Sequence, residues 1–427
     1  MAGKPETTRE LALGNSQCLY LCDPISVVSN GVGGRYARAA GAAYKFFAHW
    51  SDFRHGFFTS YCDNCASASF FSMSLSMIMI RTIFTIALSA LAFVVPASAD
   101  PVPSNRRTDW TFTGVPGGIP NRTTICATFS PGATASAINN AINACNNGVV
   151  FLNAGTYSSA SLSGTINVYK SNVTLRGAGA DQTILTGLNV INLGNGANVS
   201  LGTAITSGAT KDSTTFTVAS TTNLSVGTMI EIDRIDDPNL VVNTGNQDGG
   251  NRNVTQVNMI TAVSGNAITV RNPFIYDFST GSPRVKYYFT GITRNSGVEN
   301  LRIDHGGFSG GNNFSIQYCD ACWLRGIESG RATGYHFVVL GTLNMEIRDS
   351  YIHDGGSGPN NSGTNFFGNY LFGANSSAKI ENNIFNKNFP AIELNNSSSG
   401  LYIGYNFSYG SPSQSGTNLV TWTFDSW

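Results

Sequence analysis

Past residue 100 the chain carries three histidines, His305, His336 and His353, and two of them adjoin an aspartate. Asp304-His305 ends one apolar segment just before Gly306-Gly307, and His353-Asp354 ends another just before a Gly/Asn-rich run. An imidazole beside a carboxylate suits general-base chemistry, because the ring titrates near neutrality and the carboxylate orients it. Two reactions use such groups. β-Elimination from a uronic acid needs a base near C5 and a positive group to steady the carboxylate-derived enolate. Arg348 or His353 is the candidate base. Asp304 and Asp354 offer oxygen ligands for calcium, the one cofactor this reaction would bring. Glycosidic hydrolysis instead needs two carboxyl groups, about 5–5.5 Å or 6.5–9.5 Å apart, and Asp304, Asp354, Glu381 and Glu393 are the candidates. The catalytic set is therefore His353, Asp354, Arg348, Asp304 and His305. Arg302, Arg325, His336, Glu381 and Glu393 are the candidate substrate contacts, and no metal-ligand set is assigned.

These residues need a scaffold that brings distant segments together. Five short segments share one pattern: Asn300-Leu301-Arg302, Trp323-Leu324-Arg325, Glu346-Ile347-Arg348, Lys379-Ile380-Glu381 and Tyr402-Ile403-Gly404. Their central aliphatics recur after 23, 23, 33 and 23 positions. Self-similarity at such a period marks a stacked repeat. The segments are rich in Ile, Val, Phe, Tyr, Asn and Gly, without a helical pattern between them. The expectation is a β-solenoid whose coils rise about 4.8 Å each, with Leu301, Leu324 and Ile347 one above another. Its outer face suits a polymer better than a small molecule. The two His/Asp corners then fall two coils, about 10 Å, apart.

On that period Arg302, Arg325 and Arg348 point outward and stack, with Glu381 next. Such a column could pair the carboxylates of a polyuronate. The preferred reading is structural: Glu299, Glu328, Glu346 and Asp349 hold the arginines in a solvated ladder. Asn383 and Asn406, also one period apart, read as a corner ladder of amide hydrogen bonds. The 33-residue coil carries about ten extra residues, easiest to place in Gly355 to Asn365 as a surface loop.

Upstream, Ala135, Ile138, Ala141, Ile142 and Cys145 lie at helical spacing after Ser130-Pro131-Gly132, with Pro131 as a start signal and Gly148 just past the end. A short helix here would cap the open end of the solenoid core. Thr215–Val218, Met229–Ile232 and Ala267–Val270 alternate like half-exposed strands, which gives a β insertion over 203–292; 236–253 reads as a long surface loop.

The run Gly148 to Gly187, GVVFLNAGTYSSASLSGTINVYKSNVTLRGAGADQTILTG, resembles the first coils of the pectate-lyase-like superfamily of right-handed parallel β-helices. The resemblance covers roughly residues 125–200 and 293–410. It implies an all-β fold: a right-handed parallel β-helix with an N-terminal capping α-helix and a small inserted β subdomain. It implies no particular reaction, since the superfamily spans lyases, hydrolases, epimerases and tailspikes. The lyase motif Arg-x-Pro-x-x-Arg and the polygalacturonase signatures are absent, and Leu301-Arg302-Ile303-Asp304-His305 is only loosely similar to a lyase Trp-Ile-Asp-His segment.

Composition agrees. Charged residues are 12% of the chain, 47 residues are glycine, and the net charge is zero, so neither a nucleic-acid partner nor a strong electrostatic one is implied. Met79-Ile80-Arg81, the apolar run to Val95 and Ala97-Ser98-Ala99 read as a signal peptide over 77–99 cleaved before Asp100. That predicts export, no membrane association afterwards, and a natural start at Met77 or Met79, with 1–76 a non-native or disordered extension. Cys18, Cys22, Cys62 and Cys65 with His49 and His55 offer zinc-like spacings, a reading not favoured because of the long gap. Export permits a Cys126–Cys145 disulfide across the capping helix. Cys319 and Cys322 read as a local disulfide or two buried thiols. The 100–202 segment holds the helix and first coils and 293–427 the remaining ones. The next coil is due near the last residue, so the C-terminus reads as truncated. The expected partner is an extracellular acidic polysaccharide, with elimination or hydrolysis as the activity; the rival is a non-catalytic glycan-binding or adhesin-like solenoid.

Overall fold

The computed structural model describes residues 109–187, 190–237, 251–305, 311–332, 334–355, 369–388, 390–394, 398–410 and 420–422. They belong to one compact unit, Pro101–Trp427. The signal-peptide reading, the region before it with its cysteines, and most of Gly355 to Asn365 lie outside them.

Short β-rich runs become coils because left-handed residues punctuate them. Asn295, Ala321, Asn344, Ser377 and Gly400 have φ between 51° and 63° and precede the strands of one face. Asn300, Gly326, Asp349, Asn382 and Tyr405, with φ between 53° and 62°, mark where the chain turns from that face to the next. A single left-handed residue turns the chain sharply, which Gly, Asn and Asp tolerate best. Both sets recur after 26, 23, 33 and 23 residues.

The first face is a parallel ladder of Ile125–Phe129, Gly148–Leu152, Val173–Gly177, Gly297–Asp304, Trp323–Gly330, Glu346–Arg348, Lys379–Glu381 and Tyr402–Gly404. A second face continues from it: Gly155–Tyr157, Thr183–Thr186, the ends of Gly297–Asp304 and Trp323–Gly330, then Tyr351–His353, Ile384–Asn386 and Phe407–Tyr409. The third is a separate sheet running from Ile166–Val168 through Ile191–Leu193, Phe314–Gln317, Phe337–Leu340, Asn369–Phe372 and Ile392–Leu394 to Val420–Trp422. Inward side chains of all three faces form one core. The fold is the expected right-handed parallel β-helix.

Register corrects one expectation. Leu324, Ile347, Ile380 and Ile403 do stack. Leu301 does not join them; it pairs with Ile327, and Val298 lies beneath Leu324. This coil has 26 residues, because Ile303 to Phe314 spans 11 positions where Ser329 to Phe337 spans eight. Three extra residues at that corner make Leu301 an apparent, not actual, member of the column. In the 33-residue coil, Ile352 to Asn369 spans 17 positions where Phe385 to Ile392 spans seven, so the surplus falls after His353.

The capping helix α1 (Ala135–Ala144) starts at Thr134, whose hydroxyl accepts from the Ala137 amide at 3.2 Å. Pro131 therefore lies in the turn before the helix rather than in its first turn. Ala135, Ile138 and Ile142 enter the main core and close its end, and Cys126 and Cys145 form a disulfide beside it. Between the third and fourth rungs of the first face, Ala197–Gly208, Thr215–Val218, Met229–Arg234, Val254–Ser264, Ala267–Val270 and Arg284–Thr290 close into an antiparallel barrel with its own apolar centre. Met229, Val257, Met259 and Phe289 pack it against Leu343 and Ala374 of the solenoid, and Arg271 is ion-paired with Asp320.

Residues 109–124 run as a strap over the first face. The Gly114 amide donates to Ser377 O at 2.8 Å and the Val115 amide to Glu346 Oε2 at 3.0 Å. Arg122 reaches Thr174 Oγ1 at 3.0 Å and covers the Trp323 ring at 5.2 Å.

Candidate functional site

Chemistry-bearing residues converge on the second face and the corner that ends it. Register sets Asp304, Gly330, His353, Asn386 and Tyr409 in one outward column, and Arg302, Glu328, Tyr351, Ile384 and Phe407 in the column beside it. Asp304 and His353 are thus two rungs apart. Gly330 separates them and has a reason to be glycine: a Cβ there would meet the His353 ring at 3.1 Å. The corner residues that follow, Arg331, Asp354 and Lys387, all have φ near 55° and stack as plus, minus, plus.

His353 Nδ1 lies 2.8 Å from Asp354 Oδ2, and Nε2 lies 3.2 Å from Glu328 Oε1. The ring stacks on Tyr351, centroids 4.4 Å apart and planes 17° apart. Glu328 has a second partner in Arg302 Nη1 at 3.3 Å. Asp304 accepts from Arg302 at 2.9 Å and from Arg331 at 2.6 Å. Lys387 Nζ reaches Asp354 Oδ1 at 2.8 Å. Burial alone would raise the Asp354 pKa. The hydrogen bonds from Lys387 and His353, with their charges, outweigh it and hold the carboxyl below the ordinary range. Arg331 and Lys387, with side chains 47% and 57% exposed, are the most open cations of the cluster.

Other sequence candidates stand elsewhere. Arg348 is on the first face, 2.9 Å from Asp349, 3.3 Å from Glu346 and 3.7 Å from Glu381. Burial would lower its pKa, but the hydrogen bonds and charges of Asp349 and Glu346 outweigh it and raise it. Arg325 pairs with Glu299 at 3.1 Å. The expected arginine column is therefore an ion-pair ladder, Arg176, Glu299, Arg325, Arg348 and Glu381, and Arg302 belongs to the next face. His305 and His336 are fully buried. His336 Nδ1 bonds Ser329 Oγ at 2.8 Å, and Asn313 Nδ2 donates to the same hydroxyl at 2.8 Å. Burial, reinforced by the charges of His353 and His305, pushes the His336 pKa down to about 3. It is an interior group behind the face. Glu393 is buried on the third face, beside Tyr370 and Thr421 in register. Glu381 lines a separate cavity under the strap. Asn383 and Asn406 form the expected ladder at 2.9 Å, and Cys319 and Cys322 are joined in a disulfide.

Tyr351, Arg331 and Lys387 are not among the sequence candidates, and Glu328 is there only as a counter-charge of the arginine ladder. Arg331, Asp354 and Lys387 nevertheless follow the same 23- and 33-residue steps as the aliphatics.

Calcium does not fit this donor set. Asp304 is already engaged by Arg302 and Arg331, and Asp354 by Lys387 and the His353 ring; among the described residues no group of three His, Cys, Asp or Glu could hold a metal. A calcium site wants six to eight oxygens.

The fold and this corner define a right-handed parallel β-helix bearing a polar cluster on one outer face. No family model matches the chain, and no curated protein matches it. Among solved structures it is similar to the tailspike gp61 of Pseudomonas phage phi297, at 13% identity and TM-score 0.36, covering 67% of this chain and 59% of that one. It is also similar to the Gp54 tailspike of Acinetobacter baumannii bacteriophage AP22, solved with A. baumannii capsular saccharide, at 10% identity and TM-score 0.30, covering 65% and 58%. A third is the A-module of the Azotobacter vinelandii mannuronan C-5 epimerase AlgE6, at 17% identity and TM-score 0.33, covering 66% and 54%. The chain thus spans less than two thirds of each.

Proposed function

We propose that this protein is an exported member of the pectate-lyase-like superfamily that acts on an acidic extracellular polysaccharide by β-elimination, with His353 as the base. The observation that carries the proposal is the His353 imidazole, oriented by Asp354 and rimmed by the cations Arg331 and Lys387. Arg331 and Lys387 meet the uronate carboxylate and stabilise the charge that grows on it when C5 loses its proton. Glu328 turns to its alternative partner Arg302 and frees Nε2. The C5–H bond breaks, its proton goes to Nε2, and its electron pair is held in the carboxylate-derived enolate. That pair forms the C4=C5 double bond as the C4–O bond breaks, and the leaving oxygen takes a proton from the Tyr351 phenol. Solvent returns the proton from imidazolium to phenolate.

Elimination is favoured over hydrolysis because a hydrolase acid must keep its proton near neutrality. Asp354 is pushed the other way. The second reading is a non-catalytic glycan-binding solenoid. It is favoured by Glu328 at 3.2 Å, which ties up the nitrogen that must take the proton. Incubating the protein with polygalacturonate, polymannuronate and polyguluronate, and following near-ultraviolet absorbance of the C4=C5 bond, separates the two. Absorbance growth that His353→Ala abolishes supports elimination. Binding without product supports the second reading.

A further inference from the structure

A second feature lies on the first face, where the strap crosses the last coils. Trp110, Thr111 and Thr113 of the strap and Lys379, Glu381 and Tyr402 of the solenoid line an open cavity of about 360 Å³. That is within the range of small-ligand sites, about 300–1,000 Å³. Trp110 is 43% exposed, although its ring is large and mostly apolar. Its backbone is fixed nonetheless. The Thr113 amide and hydroxyl both donate to Trp110 O, at 3.1 and 2.7 Å. The next residue, Gly114, has φ +75° and is anchored on Ser377. A Cβ on Gly114 would strike Glu346 and the Lys379 side chain, so glycine is what lets the strap lie this close. On the facing wall, Lys379 Nζ is 2.6 Å from Glu381 Oε2 and 5.9 Å from the centre of the Tyr402 ring.

We infer that this cavity is a carbohydrate subsite that takes one pyranose unit of a glycan. The chemistry matches in two ways. The rings of Trp110 and Tyr402 present apolar surface with polar edges to the C–H face of a sugar, at low conformational cost. The Lys379–Glu381 pair sets a charged donor beside a charged acceptor, the complement of two neighbouring hydroxyls. The pair is neutral overall, so the unit is recognised by its hydroxyls rather than by a carboxylate. The subsite extends the polysaccharide reading. It lies on a different face from His353 and one to two coils further along, so it holds a chain remote from the reacting bond.

The test is calorimetric titration of the full-length protein in a His353→Ala background, which keeps the probe intact. The probes are hexasaccharides of galacturonate, mannuronate and glucose. At least one is expected to bind saturably. Adding Trp110→Ala or Tyr402→Ala should weaken that binding about tenfold or more, whereas Trp110→Phe, which keeps a ring, should retain most of it. Circular dichroism checks that each variant is folded; Trp110 is exposed, so none should unfold. Equal affinity with and without the Trp110 indole overturns the subsite, as does no binding by any probe. Turnover by the wild type, measured separately, reports on the elimination proposal. Turnover with Trp110-independent binding sinks the subsite alone. Trp110-dependent binding without turnover sinks elimination alone.

Discussion

Glu299 offers the sharpest test of the ladder. Its carboxyl-bearing side chain has no exposure. Three groups hold it: Arg176 Nε at 2.7 Å, Arg325 Nη2 at 3.1 Å and Trp323 Nε1 at 2.9 Å. Arg176 comes from the rung on one side of Glu299, and Arg325 and Trp323 from the rung on the other, so they meet only if the 26-residue coil has the register described. Glu299→Ala removes the carboxylate and leaves Arg176, only 16% exposed, without it. It also orphans the indole N–H of a buried tryptophan. Breaking one side of a buried pair costs about 3–5 kcal/mol, and at about 2–4 °C per kcal/mol for a large domain the melting temperature should fall by about 6 °C or more. The assay is thermal unfolding followed by far-ultraviolet circular dichroism at a matched scan rate. Glu299→Gln keeps an acceptor for Trp323 and should fall between. Asp349→Ala removes a surface partner of Arg348 and should cost about 1 kcal/mol or less. A Glu299→Ala melt no lower than that of Asp349→Ala refutes the reasoning.

Two further outcomes follow from named contacts. His336 is buried with a pKa near 3, below the unfolded value of about 6.5. The unfolded chain therefore binds the extra proton first, so the stability from this group is complete above about pH 6.5 and is lost as pH falls toward 3. In urea titrations between pH 6 and 4, His336→Asn should flatten the fall by up to about 1.4 kcal/mol per pH unit; parallel curves contradict this. Gly297 lies under the Trp323 indole, and a Cβ there would overlap the ring. Gly297→Ala should lower unfolding free energy by about 1–3 kcal/mol, read by the same titration, and a neutral result contradicts the packing.

What sequence revealed, and what it hid, divides along physical lines. Inward aliphatics such as Leu324, Ile347 and Ile380 are legible because burial demands the same residue type at each rung. The apolar face of α1 is legible for the same reason. Coil length is harder, because a solenoid tolerates extra residues at a corner without disturbing the core below. Three such residues after Ile303 made Leu301 imitate Val298. The left-handed residues, Asn295, Ala321, Asn344 and Ser377, would have fixed the true period, but Ala and Ser carry no visible turn signal. Outward residues are harder still, since any polar side chain satisfies water. Asp304, His353 and Asp354 stand out because His is rare here, and Arg302 because it follows a recurring aliphatic. Glu328, Arg331 and Lys387 look like ordinary surface charges until the rungs are stacked. His336 reads from sequence as a candidate substrate contact, yet it is an interior group in a hydrogen-bond network through Ser329 and Asn313.

The account turns on His353 as the group that takes a proton from an acidic sugar. Its most direct test is the initial rate of unsaturated product from a polyuronate panel, compared between the wild type and His353→Ala at equal folded concentration. The account predicts product with the wild type and at least about a hundredfold loss in the variant, the scale of a missing general base. Equal rates for the two proteins, or reducing ends without any unsaturated product, would contradict it.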